Sequence, residues 1–222
     1  MGSGVDAGDP HAGQPVLSEG PKPADARLTM ILLHGRGASA EDIVGLASEL
    51  GLRDVAYVAP QARGNSWYPH SFLTPIAQNQ PGISSAFDVL SRLIDSLHDQ
   101  HVDAQRIALL GFSQGACLTL EYAARHPRRY AGVFALSGGL IGPPGTPRNY
   151  AGSFGGTPVF LGCSDIDPHI PLDRVRESAE VFRRMGANVD ERIYQRMGHT
   201  VNADEIGAIN EILRSHRAEI SR

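Results

Sequence analysis

The sequence predicts a three-layer α/β fold built on a mostly parallel central sheet. Three observations carry that expectation. Short, continuously apolar runs recur along the 222 residues, longer stretches between them repeat apolar residues at helical spacing, and no linker or internal repeat interrupts the alternation. Strands buried on both faces read as unbroken apolar runs. Strand followed by helix, repeated, places helices on both sides of a parallel sheet through right-handed crossovers.

In chain order, LTMILLHG (28–35) reads as a strand running into glycine, and Ser39 as the N-cap of a helix over roughly 40–50. VAYVAP (55–60) is a strand stopped by Pro60. In residues 84–100, Phe87, Leu90, Ile94 and Leu97 share one helix face. RIALL (106–110) is a strand that enters a turn, and QGACLTLEYAARH (114–126) is compatible with helix. AGVFALSGG (131–139) and PVFLGCSD (158–165) repeat the strand form, and VDERIYQR (189–196) is a weaker version. Leu172, Val175, Ala179 and Phe182 mark a helix, as do Ile206, Ile209 and Leu213. Two long loops, 61–82 and 138–158, are rich in proline or glycine, and loops of that length are functional or mobile. Residues 1–26 read as a flexible N-terminal arm and 27–222 as a single domain.

Composition narrows the function. The chain is 41% hydrophobic and 20% charged with net charge −4, and no Lys/Arg block suggests a nucleic-acid surface. No apolar run approaches the ~20 residues of a membrane span, and the N-terminus lacks the pattern of a secretory signal. The two cysteines, Cys117 and Cys163, read as reduced buried thiols of a cytoplasmic protein. The nine histidines form no metal-binding motif, so neither metal nor cofactor is expected.

The chemistry centres on GFSQG (111–115). G-x-S-x-G between an apolar strand and a helix is the pattern of a nucleophile elbow. The glycines leave room for a crowded turn, Ser113 takes a strained conformation, and the helix behind it offers unpaired N–H groups. A serine nucleophile needs a base and an orienting acid, in the chain order Ser, acid, His. His199 lies between the last strand and the last helix, at the same sheet edge as Ser113. His98 and His101 sit at a helix end, and His126 and His216 are placed as helix C-terminal residues. The acid falls in GCSDIDPH (162–169), where position alone leaves Asp165 and Asp167 both open. The glycine-rich turn LLHGRGASA (32–40) supplies an oxyanion hole, with the backbone N–H groups of Arg36 and Gln114 as donors.

LLHGRGAS, GNSWYP, GFSQGACLTLEYAARHP, LSGGL, DPHIP and MGHT follow one another in order. Over roughly residues 28–215 the chain resembles the bacterial carboxylesterase/phospholipase family of small α/β-hydrolases, which includes the acyl-protein thioesterases. The resemblance implies cofactor-free hydrolysis of short- to medium-chain acyl esters or thioesters, with Ser113 as nucleophile, His199 as base, Asp167 as acid, and Trp67 and Tyr68 bordering the acyl pocket. Phe72 is expected to line the same pocket. One departure is Leu161, at a position where many relatives carry histidine before the glycine of the acid-bearing loop. Asp167 is also favoured because Pro168 restricts its backbone, while Asp165 suits a turn.

The expected activity is that of a serine carboxylesterase acting on a small-molecule ester, with a homodimer open to it. A neutral His199 is required, so the rate is expected to fall on acidification through the imidazole range. The competing readings are an acyl-protein thioesterase or lysophospholipase and, in a different class, a non-catalytic binding protein on the same fold.

Overall fold

In a computed structural model, which describes residues 8–220 (side chains 8–215), one seven-stranded sheet carries five α-helices. The strands are β1 (Val16–Glu19), β2 (Leu28–Leu33), β3 (Val55–Pro60), β4 (Ile107–Phe112), β5 (Gly132–Leu136), β6 (Pro158–Ser164) and β7 (Asn188–Tyr194). Their order is β1-β3-β2-β4-β5-β6-β7, with β1 antiparallel and every other pairing parallel. The helices are α1 (Ala40–Ser48), α2 (Gly82–Asp99), α3 (Gln114–Arg125), α4 (Leu172–Arg184) and α5 (Ala203–Ile220). This is the three-layer, mostly parallel α/β arrangement expected from the apolar runs, and the α/β-hydrolase fold that the resemblance implies.

Strand β2 explains the layering. All six of its residues are buried, and alternate side chains feed opposite cores. Ile31 and Leu33 join α2, α3 and α4 on one face, while Leu28, Met30 and Leu32 join α1 and α5 on the other. Fully burying each such side chain contributes about 1.5–3 kcal/mol.

The chain leaves β2 toward β3 on one side and returns to β4 on the other. That reversal opens a crevice at the carboxyl ends of β2 and β4, where ligands bind in open α/β sheets. Helix α1 starts there. Ser39 caps it, accepting from the Asp42 N–H while the Asp42 carboxylate accepts from the Ser39 N–H.

Residues 8–26 differ from the expected flexible arm. Val16–Glu19 adds an antiparallel edge strand to β3 in register Val16↔Pro60, and Gln61 N–H donates to Pro15 O. Upstream, His11 is buried against α2 and the 61–82 loop, and the Asp9 carboxylate binds Ser85 Oγ and Arg92. The free edge of β3 supplies the hydrogen bonds that hold this glycine- and proline-rich segment, and the short strand blunts that edge. Residues 1–7 of the expected arm and the side chain of His216 lie outside the described residues. Cys117 and Cys163 are both buried and free of disulfide. Among the described residues no helix is long and apolar enough to cross a membrane.

Candidate active site

Strand β4 delivers Ser113 to the crevice in a conformation that L-residues avoid. Its φ is 55° and ψ −117°, and its N–H is held by Leu136 O at 2.9 Å. Such backbone strain costs about 1–3 kcal/mol and is offset by the surrounding fold. The flanking glycines allow the turn. A Cβ on Gly115 would strike the backbone of Leu33, and one on Gly111 would strike that of Gly115. Helix α3 begins immediately after the serine, so the positive end of its dipole faces Ser113.

His199 sits in the loop between β7 and α5, with Nε2 at 2.8 Å from Ser113 Oγ and Nδ1 at 2.7 Å from Asp167 Oδ2. An aspartate at Nδ1 fixes the tautomer with the proton there, leaving Nε2 to accept from the serine. Asp167 is fully buried at its side chain. Burial works to raise its carboxyl, but the His199 hydrogen bond and the N–H groups of His169 (2.8 Å) and Ile170 (3.0 Å) outweigh it. The group is held below the usual carboxylate range. Asp165 turns elsewhere, accepting the Arg196 N–H at 2.8 Å. Phe112 and His169 pack on the His199 ring with centroids 5.1 and 4.9 Å away. Behind the loop, Asn202 and Glu205 cap α5 reciprocally, with Glu205 Oε2 accepting the Asn202 N–H and Asn202 Oδ1 that of Glu205.

The turn after β2 faces the elbow, and Gly35 lies against Phe112 and Ser113. Gly37 N–H is bonded to Asn65 O and Ala38 N–H to Gly35 O, whereas among the described residues the Arg36 N–H meets no protein acceptor. The Gln114 N–H, at the first position of α3, has no intrahelical partner. These are the two N–H groups for which the sequence predicts an oxyanion-hole role.

The buried His34 holds the turn from beneath. Its Nε2 accepts the Ala62 N–H at 3.1 Å, so Nδ1–H donates to Gly35 O at 2.7 Å. Burial lowers the pKa of this imidazole, which favours the neutral form the pattern needs.

A cleft of about 580 Å³ opens over Ser113 and His199. Tyr68, Phe72, Cys117 and Ile170 are among its lining residues, as are Gly35, Ala38 and Phe112. Tyr68 and Phe72, expected at the acyl pocket, both line this cleft. Trp67 does not line the cleft. It is 1% exposed, its indole N–H donates to His34 O at 2.9 Å, and its ring packs on His34 and His11. The indole needs a partner for its N–H when buried, and the carbonyl just before Gly35 supplies one. Trp67 braces the turn instead of lining the cleft.

Two side chains missed by the sequence reading hold the 61–82 loop to the elbow. Gln114 Oε1 accepts the Trp67 N–H (2.9 Å) and Nε2 donates to Tyr68 O (2.8 Å). The Arg36 guanidinium donates to Ser66 Oγ, Pro69 O and His70 O and lies 5.8 Å from the Tyr68 ring centroid. Both residues were singled out for their backbone N–H groups. A long loop beside the elbow was the available signal that their side chains had carbonyls to reach. Cys117 was read as a buried thiol only, yet it lines the cleft. Burial pushes that thiol up to about 12, so it is no competing nucleophile.

The family model for phospholipase/carboxylesterase matches residues 15–217. The chain belongs to this family of α/β-hydrolases and is a carboxylic ester hydrolase of the serine esterase class. A crystal structure of a phospholipase/carboxylesterase from Dyadobacter fermentans DSM 18053 superposes with TM-score 0.87 at 42% identity, covering 90% of this chain and 97% of that one. The acyl-protein thioesterase 1 of Saccharomyces cerevisiae is 27% identical over 205 residues, 82% of this chain and 89% of the yeast protein. NocK of Nocardia uniformis subsp. tsuyamanensis is 30% identical over 167 residues, 72% of this chain, and the chain spans only 44% of that relative's length.

Proposed function

We propose that the protein is a carboxylesterase that cleaves short- to medium-chain acyl esters through a Ser113–His199–Asp167 triad and an acyl-enzyme. The observation that carries this reading is the His199 imidazole, hydrogen-bonded to Ser113 Oγ on one side and Asp167 on the other. His199 Nε2 takes the hydroxyl proton as Oγ attacks the acyl carbon. The oxyanion that forms is met by the N–H groups of Arg36 and Gln114, and Asp167 stabilises the imidazolium. His199 then hands its proton to the departing alkoxide as the C–O bond breaks. Water enters, gives a proton to His199 and releases the acid by the same path.

The acyl length follows from the cleft. Tyr68, Phe72, Cys117 and Ile170 give the proposed acyl limb of the cleft an apolar wall. Phe72 is backed by the buried Arg174, whose guanidinium lies 5.9 Å from the ring and donates to Leu140 O and Gly142 O at 2.6 Å. A cleft of about 580 Å³ suits short and medium chains.

Labelling by a fluorophosphonate together with turnover of p-nitrophenyl esters tests the reading. Ser113→Ala should abolish labelling and cut kcat about 10³-fold or more. Labelling that persists in Ser113→Ala would overturn the assignment.

Thioester hydrolysis is the second reading, favoured by the match to yeast acyl-protein thioesterase 1 over most of both chains. The same residues would act on a thioester carbonyl. Comparing kcat/KM for an acyl ester and the matching acyl-thioester separates the two.

A further inference from the structure

Beside the cleft, and sharing Phe112 with it, lies a second cavity of about 370 Å³ between α1 and the loop that follows His199. Ala38, Ile43, Leu46, Phe112 and Val201 give it an apolar wall, and Gly35, Ala38 and Phe112 belong to both cavities. Asp42 and Glu49 stand at its margin. Resting on the esterase reading above, we infer that this cavity is a leaving-group subsite, which selects esters of neutral, apolar alcohols several carbons long.

The direction follows from the elbow. With an acyl carbon on Ser113 Oγ, its carbonyl oxygen points to the Arg36 and Gln114 N–H groups. The alcohol oxygen must lie within reach of His199 Nε2, which protonates it as the C–O bond breaks. The remaining substituent, the acyl chain, is then directed into the limb of Tyr68, Phe72, Cys117 and Ile170. Phe112, packed on the His199 ring, and Val201, two residues beyond His199, flank the proton donor on its other side. An alkyl group leaving from His199 therefore meets the cavity behind Phe112. The apolar wall favours a hydrocarbon there, and two carboxylates at the margin oppose an anionic one.

The test uses two ester series with intact protein. Acetates of ethanol, butanol and hexanol differ little in leaving-group acidity, so a trend in kcat/KM reports binding of the alkyl chain in the transition state. The rate constant is expected to rise about two- to fourfold per methylene, and the ω-carboxylate analogue of hexyl acetate should lose that gain. Leu46→Trp, which fills the cavity, should flatten the series while leaving ethyl acetate within about twofold of wild type. It should also leave the acyl series from ethyl acetate to ethyl hexanoate unchanged. Leu46→Ala, which keeps the cavity open and removes wall contact, should reduce the slope without abolishing it. A flat alcohol series in the wild type, or a Leu46→Trp that depresses both series alike, overturns the subsite. Failure of the esterase reading looks different, because no ester would then turn over through Ser113.

Discussion

His199 and Asp167 are joined by a 2.7 Å hydrogen bond, while Asp165, two residues earlier on the same loop, accepts the Arg196 backbone N–H of the neighbouring His199 loop. The two aspartates thus do different work. One meets the imidazole, and the other ties its loop to Arg196.

Asp167→Asn should leave the fold in place and lower kcat by about 10³- to 10⁴-fold, because an amide cannot stabilise the imidazolium and favours the wrong tautomer. Asp165→Asn keeps an oxygen acceptor for the Arg196 N–H and should retain most of the activity. Steady-state kinetics of both variants on one p-nitrophenyl ester decide the matter, and equal losses would deny Asp167 its separate role.

The sequence made some of this legible and hid the rest. The sheet was readable because β2 to β6 are buried on both faces and carry continuous apolar runs. Ser113 and His199 were readable because each follows a strand at the same sheet edge. Strand β1 was not, since four residues with two apolar members in a glycine- and proline-rich stretch show no period. It forms because β3 offers a free edge. The roles of Trp67 and the Gln114 side chain depended on how residues 61–82 fold back, which periodicity does not encode. An aromatic residue beside an active site reads the same whether it touches substrate or supports the turn beneath it.

Trp67→Phe isolates the support. It keeps most of the buried ring and removes the donor to His34 O, leaving a buried carbonyl short of a partner, a loss of about 1–3 kcal/mol. The turn carrying the Arg36 N–H should loosen, so kcat falls while the dependence on acyl length stays as in the wild type. Phe72→Ala should do the opposite, widening the acyl limb and shifting preference toward longer or bulkier acyl groups. A Trp67→Phe variant with an altered chain-length profile would return the indole to the pocket wall.

His11 ties the N-terminal segment to the same loop. Its Nδ1 accepts the Arg63 N–H at 3.1 Å and its Nε2–H donates to Trp67 O at 2.9 Å, a pattern only the neutral ring can make. Burial lowers its pKa in the fold, so the unfolded chain takes up the proton first on acidification. Stability should fall as pH drops from the ordinary imidazole range toward the lower folded value. His11→Ala should reduce the melting temperature at neutral pH and shallow that slope. A variant that melts like wild type at every pH would leave the strap without energetic weight.

Glu205 sets a pH dependence of opposite sign. Its carboxyl is buried, Oε2 accepts the Asn202 N–H, and Oε1 faces Gly162 of β6 with no hydrogen-bond partner among the described residues. Burial pushes its pKa from 4.5 up to about 7, against the pull of the Asn202 hydrogen bond and with a smaller push from Asp204. Between those two values the folded protein binds more proton than the unfolded chain, so stability falls as pH rises and the loss is complete above the folded value. The whole span amounts to at most about 3 kcal/mol. Glu205→Gln keeps an oxygen for the Asn202 N–H and cannot ionise. Any packing cost of its amide against Gly162 is the same at every pH. The melting temperature of the variant relative to wild type should therefore climb from about pH 5 to about pH 8. Because the Asn202–Glu205 cap sits directly behind His199, esterase activity at high pH should hold better in the variant after heating. A difference in melting temperature that does not change with pH would show that Glu205 is already ionised across the range.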